Sequence, residues 1–227
     1  MSDSKIIASA EGRYLAPEVP IYYRKFDGWE FKFVCMDMNR HFQYVHRWRR
    51  KYDNKGYWHQ KMSLAELWDN WEGKDGGIKD VSMVAILGTT PIGLVELFPI
   101  KKSMKEIMTF TEEERPAILI YTLHLLLAHS RDLVEAFGEM AKSLPLFVLE
   151  MALEMLFIKF QVDKIFIPVK KRNSDALRLL MRAGFAEFPI CYERRVKKKL
   201  LFMNKVDYLK LYNIVTSEKK FHLYADD

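Results

Sequence analysis

The 227-residue chain is 49% hydrophobic and 14% aromatic, enough apolar material for one large domain with its own core. Its 2 cysteines, Cys35 and Cys191, lie far apart with no CxxC, which excludes a disulfide framework and argues against a structural zinc site. The net charge of +6 sits in short runs at 101–102, 170–172, 194–195 and 197–199; solvated strand ends and loops account for such runs more simply than a nucleic-acid partner does.

The first residues lack a basic stretch followed by a long apolar one. The longest apolar run, 117–128, is interrupted by Thr122 and His124 and is too short to span a bilayer. The expected setting is cytoplasmic and reduced, without membrane association or metal.

In chain order, residues 1–19 have little periodicity and read as an arm. Residues 21–25 and 30–36, separated by Asp27 and Gly28, predict a β-hairpin, with Phe31, Phe33 and Cys35 on one face. Asp37 or Asn39 can cap a helix running to about residue 52, with Phe42, Val45 and Trp48 or Arg49 at helical spacing. Ser63 with Glu66 three residues on is a capping box for a short helix over 64–71. A second hairpin is expected from strands 81–87 and 92–98 around a loop from Gly88 to Pro91, with Pro99 ending it. Residues 101–115 are polar with weak helical character, and Pro116 precedes a strand expected over 117–127.

Residues 129–143 should connect that strand to an apolar helix over 144–160, which places Phe147, Val148, Met151 and Met155 on one face. A strand over 164–168 follows, then a helix led by Asn173 and punctuated by Ala183, Gly184 and Phe185. Strands over 185–191 and 196–203 and a short helix over 205–212 close the chain. Strand, helix, strand, helix in this order predicts a βαβα unit with a parallel strand pair. Such a unit opens a crevice at the strand C-termini, beside a helix N-terminus.

Two patches carry a resemblance. One is His46, Arg47 and Trp48, followed by Gly56, Tyr57, Trp58, His59, Gln60, Ser63, Glu66 and Leu67. The other is the run Leu123, His124, Leu125, Leu126 and Leu127, with residues 164–168, Asn173, Leu177 and the Ala183, Gly184, Phe185 punctuation. Together, over about residues 22–202, they resemble the siderophore-biosynthesis branch of the GNAT acyltransferases, which includes hydroxylysine and hydroxy-diamine N-acetyltransferases and the mycobactin lysine acyltransferase. Aminoglycoside 6'-N-acetyltransferases share part of the pattern. The resemblance implies an α/β (α+β) GNAT fold: a mixed, twisted central sheet with a V-shaped split between strands and helices on both faces. It implies an arm at 1–19, the acyltransferase domain at 20–204, and a C-terminal helix and tail at 205–227.

The resemblance further implies acetyl-CoA, or another short-chain acyl-CoA, as co-substrate, and a small amine or hydroxylamine as acceptor. His124 would be the base. Leu126, Gly138, Ala141, Lys142, Ser143, Leu144 and Asn173 would hold the carrier, the segment 138–145 cradling its pyrophosphate. Trp48, Tyr57, Trp58, Glu96 and Phe98 would line the acceptor pocket. The protein would act as a monomer or homodimer. The sequence departs from the family where Glu139 and Ala141 replace loop glycines, where Lys170, Lys171 and Arg172 stand near an expected Asp, and where Pro99 stands for a Trp.

The residues themselves leave alternatives open. An imidazole of near-neutral pKa suits deprotonation of an attacking amine, yet a lone histidine in an apolar strand also serves as a hydrogen-bonded core residue. Glu96 on the neighbouring predicted strand is the candidate to orient it. Asn173 can cap its helix or contact the carrier. Trp48 can wall a pocket or fill the core. A GNAT-fold pseudoenzyme or binding module, and an aminoglycoside-type small-amine acetyltransferase, are the rival readings; nucleic-acid binding ranks last.

Overall fold

The computed structural model describes residues 7–8, 14–15, 19–26, 28–54, 81–99, 119–188 and 198–212. A two-residue strand pair, β1 (Ile7–Ala8) and β2 (Tyr14–Leu15), precedes the main body. The first hairpin then forms as expected from β3 (Pro20–Phe26) and β4 (Trp29–Cys35), turning at Gly28 with φ 77°. Asp37 is the cap of α1 (Met38–Asn54): its Oδ1 accepts the backbone N–H of Asn39 at 2.8 Å and of Arg40 at 3.3 Å. The helix buries Phe42, Val45 and Trp48, the 3.6-residue stripe read from the sequence.

The second hairpin is tighter than the sequence suggested. β5 (Val81–Leu87) and β6 (Thr90–Pro99) join through Gly88 and Thr89 alone, with Leu87 and Thr90 paired across the turn and Gly88 at φ 60°. Thr90 and Pro91, expected in the loop, belong to β6. Pro91 is tolerated there because the register slips beside it: Ala85 faces Gly93 while Ile86 faces Pro91, which leaves Ile92 as an extra, bulged residue.

β7 (Ile120–Leu127) follows. The connection expected over 129–143 is instead ordered as α2 (Ser130–Phe137) and a 3-10 turn (Gly138–Lys142). His129 caps α2 by accepting the N–H of Arg131 on Nδ1 at 3.1 Å. Next come α3 (Leu144–Glu154), a π turn (Met155–Lys159), β8 (Lys164–Lys170), α4 (Ser174–Arg182), β9 (Ala186–Glu187), β10 (Lys198–Asn204) and α5 (Lys205–Leu211). The predicted capping-box helix at 64–71, the segment 101–115 and the tail past 212 lie outside the described residues.

The main sheet has eight strands in the order β3-β4-β5-β6-β7-β8-β10-β9. Every neighbouring pair is antiparallel except β7–β8, which is parallel as the βαβα pattern required. Register separates the two faces. Phe33, Ala85, Gly93 and Leu127 pair across four strands, and on that face the Phe31 ring meets Phe147 of α3 at 5.0 Å. Val84, Leu94 and Leu126 pair on the other face, two residues from Ser82, Glu96 and His124, and there Arg49 of α1 reaches Glu96. So α1 and α3 cover opposite sides of one sheet. Both layers are dry: Phe33, Val45, Leu94, Val148 and Leu149 are all at 0% exposure.

Candidate functional site

The sheet divides between β7 and β8. These strands pair at Ile120–Lys164, Tyr121–Ile165 and Thr122–Phe166, and their ladder ends there. On either side pairing continues to the strand ends, to Gly93–Leu127 on β6 and to Lys170–Lys198 on β10. The C-terminal halves of β7 and β8 therefore part. Two local features hold the end of β7 against β6. A Cβ on Gly93 would stand a tight 3.0 Å from the Leu126 carbonyl oxygen, so glycine eases the approach, and the Ala128 N–H donates to the bulged Ile92 carbonyl at 2.9 Å. On the far bank, Pro168 occupies mid-strand at a level where β8 has already lost β7 as a partner.

His124 lies two residues past the last β7–β8 pair, on the α1 face with Thr122 and Leu126. It is the Cα partner of Glu96. Directly opposite residues of an antiparallel pair carry their Cβ atoms roughly 5 Å apart on the same face. The Phe98 ring stands 4.8 Å from the imidazole, tilted by 56°. Glu96 is 3% exposed, and its Oε1 accepts Arg49 Nη2 at 3.2 Å. The structure thus brings together three of the residues picked from sequence, His124, Glu96 and Phe98.

Arg49 was not among those residues. It stands in a basic run, Arg47, Arg49, Arg50 and Lys51, that reads as a solvated helix face. Its one sequence signal is its place on the Phe42, Val45, Trp48 or Arg49 stripe. One aromatic cluster was also missed. Phe166, buried on the face of Thr122 at the last paired level of β7 and β8, packs against Phe188 at 5.5 Å and Phe202 at 6.0 Å, a cluster on the other side of β7 from Phe98. Trp48, expected beside the acceptor, is instead a core residue at 2% exposure; α1 presents Arg49 to the sheet in its place. Tyr57 and Trp58 lie outside the described residues.

The expected pyrophosphate loop is no loop. Residues 138–142 are a 3-10 turn running through Ser143 into α3. Gly138 adopts φ 56° and ψ −130°, a backbone conformation that suits glycine, and a Cβ there would meet no protein atom within 4 Å. The Ser143 hydroxyl donates to the Met140 carbonyl at 2.8 Å, and Lys142 is paired with Glu139 on the surface. Pro145 has no N–H and the Phe147 N–H is used by the Ser143 carbonyl at 3.0 Å. The first turn of α3 keeps at most the N–H groups of Leu144 and Leu146, together with the positive end of the helix dipole. Leu144 is fully buried by its side chain and Ala141 nearly so, and Leu126 is 1% exposed; each could serve a ligand only through its backbone. A cavity of about 210 Å³ joins the end of β7 to this segment, lined by Leu127, Ala128, Leu133, Ala141, Lys142 and Pro145. Asn173 caps α4, its side chain accepting the Ala176 N–H at 3.3 Å.

The site is chemically simple. A parted strand edge offers backbone groups to a chain of amides, and a helix N-terminus stands at its open end. A histidine beside a buried carboxylate–guanidinium pair lies near the point where the strands diverge.

No protein-family model matches the sequence, and no curated protein matches it. Solved structures do. An uncharacterised protein from Bacillus halodurans superposes with TM-score 0.67 at 14% identity, over 87% of this chain and 96% of that one. The aminoglycoside acetyltransferase AAC(6')-Ib in complex with coenzyme A gives 0.59 at 16% identity, over 80% and 99%. The spermidine N-acetyltransferase from Vibrio cholerae, in complex with CoA and spermine, gives 0.56 at 19% identity, over 79% and 98%. The fold is that of the GNAT acetyltransferases.

Proposed function

We propose that the protein is an acyl-CoA-dependent N-acyltransferase. It moves an acetyl or similarly short acyl group onto a side-chain amine or N-hydroxyamine of a lysine-like or diamine molecule, as in hydroxamate siderophore assembly. One observation carries this reading: the ladder between parallel β7 and β8 stops at Thr122–Phe166, and His124 stands just beyond it. The pantetheine amides pair with the freed edge of β7, and the pyrophosphate lies at the start of α3. The acceptor nitrogen approaches from the α1 face. His124 takes its proton as the nitrogen bonds to the thioester carbon; the C–S bond then breaks, and the imidazolium gives that proton to the departing sulfur, releasing CoA as the thiol. Transfer is direct, with no acyl-enzyme. Glu96, fixed by Arg49, holds a negative charge on the strand opposite the imidazole and favours the imidazolium that forms. The likeness to CoA-bound N-acetyltransferase structures supports the reading.

A second reading has its own observation. Lys142 and Ser143, the polar side chains of the cradle, are both engaged within the segment, by Glu139 and by the Met140 carbonyl. That arrangement favours a scaffold that recognises a ligand without transferring an acyl group.

Calorimetric titration of acetyl-CoA, with CoA as control, tests the carrier site on which the acyltransferase depends. Micromolar binding that is lost in Ser143→Glu, a charge at an exposed position that an α-helix start tolerates, supports the acyltransferase. Failure of acetyl-CoA and CoA to bind overturns it.

A further inference from the structure

The cavity at the end of β7 is mostly apolar. Leu127, Leu133, Val134 and Pro145 supply walls from the strand, α2 and α3, and its polar side chains, Ser130 and Lys142, are both exposed. At about 210 Å³ it exceeds the ~150 Å³ of a dry cavity that takes up benzene. The anion-binding chemistry beside it is thin. Segment 138–145 holds one acid and one base, Glu139 and Lys142, and they bridge each other. A surface helix terminus multiplies an anion's affinity by only about twofold to fivefold. Each methyl group taken out of water multiplies affinity by about fourfold. This end of the opening therefore holds a branched apolar group better than a charged one.

The cavity also stands at a definite distance from His124. Ala128, in its lining, is four residues further along the chain, ~13 Å at strand pitch. A pantetheine thioester placed at His124 has its branched carbon, the one bearing a pair of methyls, about ten bonds from the sulfur, ~12 Å in an extended chain. Between these points the arm carries a pair of amides. β7 has no pairing with β8 beyond Thr122, and a strand turns both backbone groups of every second residue to one edge. Over this stretch that makes about two residues for the pair of amides. Length, amides and branched carbon each meet a matching feature.

We infer that the acyl donor is held by its pantetheine arm, with the dimethyl carbon in the cavity beside α2, and not by its nucleotide. S-Acyl pantetheine without the nucleotide is then a full donor, and the thiol released is pantetheine. The inference rests on the acyltransferase reading and narrows what that reading asks of the donor. The pyrophosphate of CoA still lies at the start of α3 but adds little to affinity. The inference also gives α2 a part in binding: the helix walls the cavity, and Arg47 of α1 and Trp29 of β4 hold it in place.

Calorimetry of the full chain with a donor series tests this. The series is acetyl-CoA, S-acetyl pantetheine and S-acetyl-N-acetylcysteamine, the last keeping the thioester and one amide but lacking the branched carbon. The first two are expected to bind within about fivefold of each other. The third is expected to bind at least ~tenfold more weakly than S-acetyl pantetheine. Val134→Phe puts a larger ring at an exposed helix position that lines the cavity. It is expected to weaken acetyl-CoA and S-acetyl pantetheine alike, by about tenfold. A wider gap between the first two donors overturns the inference and leaves the acyltransferase reading standing. So does a third donor that binds as well as the second, or a Val134→Phe protein that binds both as the wild type does. If none of the three binds, the acyltransferase reading falls and this inference with it.

Discussion

Glu96 and His124 face each other across β6 and β7, and the glutamate that the strand pairing gives to the histidine is held from the other side by Arg49. The guanidinium, the carboxylate and the imidazole thus form one row from α1 to the edge of the opening. The row is costly to assemble, because two of its members are taken almost wholly out of water. A core that needed only stability would be served as well by apolar residues of similar volume.

That cost gives a direct stability prediction. Arg49→Met leaves Glu96 buried without its cation and should lower stability by roughly 3–5 kcal/mol. Adding Glu96→Leu should restore most of the loss. Urea unfolding of the wild type and the two variants checks this; equal stability of Arg49→Met and wild type would mean that the pair is not formed in solution.

His124 is half-buried and stands against Phe98, so truncation should leave the fold intact. In an acyl-transfer assay His124→Ala is expected to reduce kcat by roughly 10²–10⁴-fold, the usual share of a positioned base. Acetyl-CoA affinity measured by calorimetry should stay unchanged. A variant that lost binding together with turnover would make His124 structural.

Two glycines should respond to alanine for different reasons. At Gly138 only the backbone objects: φ is 56° and the site is open, so the expected loss is roughly 1–3 kcal/mol. At Gly184, with φ 92°, a Cβ would also stand 2.4 Å from Leu211 Cδ2 of α5. Gly184→Ala should therefore lower Tm more than Gly138→Ala, and Leu211→Ala should recover part of the loss in Gly184→Ala and none in Gly138→Ala. Thermal unfolding of the five proteins decides it.

Tyr22, Tyr208 and Tyr212 gather where β3, α3 and α5 meet, beside Glu150, Glu154 and Arg24. Burial first, then carboxylates, push their phenols up, that of Tyr212 to about 12 through burial and Glu150. A native pKa above the unfolded value of 10.0 favours the protonated phenol in the folded chain. Its contribution is complete below pH 10 and disappears as pH rises to about 12. Stability should fall across that window, and the fall should be shallower in Tyr212→Phe. Phenolate absorbance against pH, in native and in urea-unfolded protein, checks the shift.

Much of the fold could be read because its periodicities are local. The two hairpins, the Asp37-capped helix and the helix led by Asn173 each announce themselves within a short stretch of sequence, and the parallel pair follows from the order of strands and helices between them. The segment 129–143 could not be read so, because α2 is held from outside: Trp29 of β4 packs edge-on to Phe137 at 5.5 Å, and Arg47 of α1 bridges to Asp132 at 2.8 Å. Those contacts span the chain, and the two-turn helix they hold is too short for its own Leu133 and Phe137 spacing to mark it out. The site divides along the same line. His124 and Phe98 sit two apart from Thr122 and Glu96 on strands whose pairing follows from hairpin order, so they were accessible. Arg49 was hidden because only the docking of α1 distinguishes it from Arg47 and Arg50. Trp48 was misplaced because the size and aromaticity that suit a pocket wall suit a core equally.

The parted edge of β7 and β8 has a consequence for solubility. Unpaired strand edges recruit other strands, and a gap in the middle of a sheet offers two of them, facing each other. Pro168 removes one donor from the β8 bank, and the lysines that close β8 and open β10 charge its outer end. A stray strand from another molecule meets a broken hydrogen-bond row and positive charge. A narrow, flexible ligand that needs only a few of those groups is not turned away. A proline on the bank of the division thus keeps it from becoming a seed for aggregation. Pro168→Val should therefore leave the native protein soluble when cold and dilute, yet raise its turbidity on concentration or mild heating.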